Sequence, residues 1–199
     1  MVTTPLRSAL SLFLAILALL AGSGPAWSSD ASSGGRSAGS VDPEAAEYHL
    51  KAAYLYNFAR FVVWPDSAFA AQDSALTIGI LVPDPFGPAI DSLLADREIA
   101  GRPVRIERYP RDTAIPRCHV LFVPKGEEDR IPPTWAESGP PTLIVGESPD
   151  FASQGGMIGF FEESEKLRFQ INPEATRRRG LVVNSKLLSL ASVVTETHR

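Results

Sequence analysis

The chain has 199 residues, 44% of them hydrophobic, with 19 basic and 23 acidic residues and a formal charge of −4. That length allows a domain with a sizeable core, and the acidic balance argues against an electrostatic nucleic-acid binder, whose affinity comes from neutralising many phosphates. Cys118 stands alone, which excludes an intrachain disulfide and a cysteine cluster around a metal.

The N-terminus reads as a secretory leader. Arg7 and the free amine form a short positive region, residues 9–21 are an apolar run relieved only by Ser11, and small residues allow cleavage after Ser23 or Ser28. The run is too short for a comfortable membrane span. Residues 1–28 are therefore expected to be a cleaved signal peptide, and the protein to work in the periplasm. Loss of Arg7 leaves 18 basic against 23 acidic residues, a mature charge of about −5. Residues 29–42, rich in Ser and Gly, carry too little apolar surface to fold and read as a flexible tether.

Asp42-Pro43-Glu44 opens the folded domain, expected over 43–195, with aspartate as N-cap and proline at the first helical position. Residues 44–63 then form a helix that is apolar nearly all round, hence largely buried, and Trp64-Pro65 ends it. Residues 76–82 read as a buried strand, 89–95 as a short helix and 104–109 as a second strand. Two further buried strands fall at 118–123 and 142–145, with a weak helix at 127–137 interrupted by Pro132-Pro133. Gly155-Gly156 makes a turn into a β-hairpin over 157–171, in which Leu167, Phe169 and Ile171 face inward and Lys166, Arg168 and Gln170 outward. Asn172 caps a short helix that Gly180 ends, and a last helix over 185–194, capped by Ser185, presents Leu187, Leu190, Ala191 and Val194 as one stripe. The expected architecture is a single-domain α/β sandwich: a mostly parallel sheet of about six strands, an antiparallel edge hairpin and helices on both faces.

Catalytic signals are thin. Cys118 and His119 are neighbours on a strand, so their side chains leave on opposite faces and form no nucleophile–base dyad. His49, His119 and His198 have no metal-ligand spacing. The common hydrolase and metalloprotease motifs are missing. No catalytic residue, metal or cofactor is expected. Arg60 and His49 share one side of the apolar helix, about 180° from Lys51, so a partly buried guanidinium there would need a carboxylate or an anion. Arg168 and Gln170 on the exposed strand face, with Lys186 on the last helix, complete the candidate contact residues. Arg177-Arg178-Arg179 reads as a solvated helix end that complements the dipole.

Five segments resemble the YfiR-like proteins in order: residues 48–65 (YHLKAAYLYNFARFVVWP), 118–123 (CHVLFV), 151–158 (FASQGGMI), 167–172 (LRFQIN) and 184–191 (NSKLLSLA). Trp64, Pro65, Gly155, Gly156 and Asn172 are the motif residues with structural roles. The resemblance implies a non-catalytic periplasmic α/β protein, often a homodimer. Such a protein represses an inner-membrane diguanylate cyclase by binding its periplasmic sensory domain, and an outer-membrane lipoprotein can sequester the repressor. Cyclic di-GMP signalling and biofilm formation are thereby controlled. Three departures stand out: Cys118 has no partner where the family uses paired cysteines, Val63 stands where an acidic residue is expected, and Gln170 replaces a glutamate. From the residues alone, an anion sensor centred on Arg60 or Arg168 and an exported enzyme are the competing readings.

Overall fold

The computed structural model describes residues 42–135 and 139–195; the leader and nearly all of the tether lie outside them. Helix α1 spans Pro43–Phe61, and the Glu44 N–H donates to the Asp42 carboxylate at 3.1 Å. Its buried residues fall on several sides, including Leu55, Phe58 and Ala59, as an almost uniformly apolar helix requires.

The helix stops earlier than Trp64-Pro65 implies. Val62–Val63 (β1) instead pairs antiparallel with Val182–Val183 (β9), because β-branched residues with a strand within reach gain ladder hydrogen bonds. The main sheet has eight strands in the order β10-β8-β7-β6-β5-β2-β4-β3. Their ranges are β2 Leu76–Leu81, β3 Glu98–Ile99, β4 Arg102–Tyr109, β5 Val120–Val123, β6 Leu143–Gly146, β7 Ile158–Glu163, β8 Lys166–Ile171 and β10 Ser192–Val193. From β4 to β7 every pairing is parallel, and β7–β8 is the antiparallel hairpin. The strands beyond the expected six are two-residue pieces, too short to show alternation. Helix α2 (Pro88–Leu94) lies against α1 and β4.

One face of the sheet packs on α1. Phe58 sits 5.7 Å from the Phe160 ring and 5.0 Å from that of Phe169, while Tyr48 reaches Phe86, which meets Phe122 at 4.7 Å. Loops and α3 (Pro173–Arg178) cover the other side. There Gly79 and Gly156 have no room for a side chain: a Cβ would lie 2.3 Å from the Tyr109 and Phe151 rings respectively.

Three further expectations need correction. Of the weak helix expected at 127–137, the described part holds a 3₁₀ turn, Glu128–Arg130, that ends before Pro132-Pro133, and Trp135 is helical again; residues 136–137 lie outside the described residues. The last helix, α4, covers only Ser185–Leu188; the chain then turns into β10, where the Val194 N–H finds the Ile171 carbonyl at 2.9 Å. Of its presumed stripe only Leu187 is buried. Asn184, not Ser185, caps α4, accepting the Lys186 N–H at 2.9 Å. Helix ends favour either residue type, and only the backbone path decides between neighbours.

Candidate functional site

The β1–β9 ribbon carries a small apolar surface. Val63 and Val182 are cross-strand partners, and they are 61% and 57% exposed. Directly opposed valines at this exposure form a patch that water disfavours and a partner can cover. The Asn184 N–H donates to the Phe61 carbonyl at 2.9 Å, so the end of α1 and the start of α4 are tied together. Arg60 precedes the ribbon on one strand and Lys186 follows it on the other, both exposed.

Arg60 is therefore not the partly buried cation expected. Its guanidinium lies over the Tyr56 and Phe61 rings, 5.5 and 6.0 Å from their centroids, and looks to solvent. A cation at the exposed end of α1 is satisfied by water and the helix dipole, so no buried carboxylate is needed. Arg168 is 46% exposed and approaches Glu163 at 3.5 Å. Gln170 is half-buried, with Gly159 opposite on β7 and Ser192 opposite on β10. The outer face of the hairpin is thus partly covered, and Arg168 and Gln170 are separate from the ribbon that groups Arg60 with Lys186.

The motif residues hold the frame. Trp64 is half-buried, donates from Nε1 to the Ala59 carbonyl at 3.1 Å and meets His119 edge-on at 5.7 Å. Pro65 follows as N-cap of a 3₁₀ turn, Asp66–Ala68. Gly155 has φ 101° in the turn before β7. Asn172 is fully buried: Oδ1 accepts from the Glu174 and Ala175 N–H groups, and Nδ2 donates to the Ala152 carbonyl. It both caps α3 and pins the 151–157 loop. In the arginine run, Arg177 pairs with Glu174 at the surface, but Arg179 is buried and donates to the Pro140 carbonyl at 3.1 Å. Burial pulls its pKa down, with Arg178 adding to the effect. The run is thus only partly a solvated face.

Cys118 and His119 do diverge. Burial pushes the Cys118 thiol up to about 12. Such a thiol is no nucleophile at neutral pH. His119 accepts the Thr77 N–H at Nδ1 (3.0 Å) and stacks on Phe69 at 4.5 Å. Among the described residues no group of three His, Cys, Asp or Glu could hold a metal ion.

Two buried ionic clusters escaped the sequence reading. Lys51, 5% exposed, donates to Glu147 at 2.6 Å and pairs with Glu47 at 2.8 Å, its ammonium 4.3 Å from the centroid of the Tyr48 ring. Burial would lower the Lys51 pKa, but hydrogen bonds to Glu147 and Glu47 outweigh it and raise the value. A lysine amid an apolar helix was the available signal; its partner, 96 residues away, was not. The second cluster lies at the carboxyl ends of β2, β4 and β5. Open α/β sheets bind ligands there, where strand order reverses. Here Arg130 donates to the Val82, Tyr109 and Pro110 carbonyls and approaches Glu127, which also pairs with Arg111. Arg130 and Glu127 are thus bound to the protein's own groups at these strand ends.

The five motif segments now lie on one domain: α1 and its exit, the central β5, the turn into β7, strand β8, and α4. The sequence pattern of the YfiR/HmsC-like family matches residues 48–192. The chain belongs to the YfiR/HmsC-like family. No curated protein matches it significantly. The YfiR/HmsC-like family is periplasmic, and it is regulatory rather than catalytic. The YfiR/HmsC-like match begins inside α1 and ends at the first residue of β10, so it spans β2 to β8 of the main sheet.

Proposed function

We propose that this protein is exported through a cleaved signal peptide and represses an inner-membrane diguanylate cyclase by binding its periplasmic sensory domain. Cyclic di-GMP output and biofilm formation are then under its control, and sequestration by an outer-membrane lipoprotein would release the cyclase. The observation that supports this reading is the Val63–Val182 pair, an exposed apolar patch flanked by Arg60 and Lys186 within the residues that match the family. An apolar centre with a charged rim is the usual build of a protein-contact surface. Arg168 and Gln170 serve as a secondary contact on the hairpin, and a homodimer completes the reading.

Val63→Asp and Val182→Asp test it. Both positions are exposed, so stability should stay within about 0.5 kcal/mol of wild type. Calorimetric titration with the cyclase's periplasmic domain should show affinity reduced by at least about tenfold, with Arg168→Ala weaker in effect. Unchanged affinity in both aspartate variants would remove the ribbon from the interface.

A further inference from the structure

A groove of about 460 Å³ lies between the start of α1 and the β7–β8 hairpin, well apart in sequence from the ribbon valines. We propose that it docks a segment of a partner protein that presents lysine or arginine between apolar side chains. The volume is that of a pocket for a few side chains. Leu50, Phe160 and Leu167, buried or half-buried, form an apolar floor beside the Lys51–Glu147 pair, and the exposed Glu162 and Glu165 line its rim. Both rim glutamates are exposed, and neither makes an ion pair among the described residues. Neighbouring Glu163 already faces Arg168, and the wall cation Lys51 is taken by Glu47 and Glu147.

The groove therefore presents negative charge above an apolar surface, with its internal cation already neutralised. A cationic head meets the rim while its apolar neighbours cover the floor. An acidic segment meets repulsion from Glu162 and Glu165. Complementarity of this kind sets specificity and encounter rate, at distances inside the roughly 8 Å screening length of physiological salt.

Anisotropy titration of the full exported chain into a labelled hexapeptide alternating leucine and lysine, at about 0.15 M salt, tests the proposal. Saturable binding is expected, together with none for the leucine–glutamate counterpart. The double variant Glu162→Lys, Glu165→Lys should weaken binding at least about tenfold. Leu50→Arg, which places a cation in the groove, should do the same. Asp73→Lys with Asp112→Lys makes the same change in net charge at exposed sites outside the groove, and should leave binding unchanged. Equal loss in that control would overturn the proposal, since net charge alone would explain it. Absence of saturable binding, or displacement of the peptide by equimolar spermidine, would overturn it as well, the latter pointing to a small-amine site.

Discussion

At the scale of single residues, burial sets the chemistry more than residue type does. His119 illustrates this. Desolvation holds its pKa below the ordinary 6.5, with Arg102 adding to the effect and the Ala68 backbone opposing it. Its Nδ1 accepts the Thr77 N–H, which requires a neutral ring at that nitrogen. Above pH 6.5 the ring is neutral in both folded and unfolded chains and adds no pH dependence. As pH falls below 6.5 the unfolded chain binds the proton first, so stability declines, by at most about 1.4 kcal/mol per pH unit, and levels off below the folded pKa. Urea unfolding between pH 5 and 8 should show this decline in wild type and a flatter profile in His119→Gln, where glutamine still offers an acceptor to Thr77. Superimposable profiles would show that His119 does not carry the effect. The sequence placed His119 on a strand face, but not the aromatic wall of Trp64 and Phe69 that desolvates it.

Elements depend on their ends. The start of α1 was legible because Asp42 and Pro43 act within a single turn, and Asn172-Pro173 opens α3 by the same local chemistry. The exits were harder to read. Residues 62–63 become a strand only because Val182–Val183 lies alongside, and 192–193 become a strand only because β8 has an open edge. Periodicity cannot register a partner that arrives from elsewhere in the chain. Trp64 secures the exit of α1 from both sides, through the Ala59 carbonyl and the His119 ring. Trp64→Ala should destabilise the fold by about 3 kcal/mol, the low end for such truncations because the indole is half exposed. Trp64→Phe, which keeps the ring contact and loses the N–H, should cost less. Equal denaturant midpoints in the two variants would assign the effect to the hydrogen bond, which both lose, rather than to the ring contact.

Across the whole molecule, the carboxyl ends of β2, β4 and β5 are held together by charge. Arg130, with its side chain 10% exposed, crosslinks three carbonyls from two strand ends and meets Glu127, whose side chain is 3% exposed. Glu127 keeps Arg111 when Arg130 is removed, but the part-buried Val82 and Tyr109 carbonyls lose their guanidinium donor, so Arg130→Ala should cost about 1–3 kcal/mol. Arg168→Ala, which loses only a long surface contact with Glu163, should stay within about 0.5 kcal/mol. Chemical denaturation of the two variants gives the comparison, and a cost for Arg168→Ala equal to that of Arg130→Ala would refute this ranking of buried over exposed cations.

The sequence by itself determined the fold class, most of the strands, the caps at Asp42 and Asn172 and the inward set Leu167, Phe169 and Ile171. Hydrophobic period and capping chemistry act within a few residues, and the chain spells them out. The tertiary structure alone decided which polar groups are buried and with whom: Lys51 with Glu147, Arg130 with three distant carbonyls, Arg179 with Pro140, and Arg60 left in solvent. It also decided that Val63 and Val182, 119 positions apart, face each other on an exposed ribbon. Partners so far apart in the chain leave no periodic trace, because their meeting depends on strand order and register rather than on local propensity.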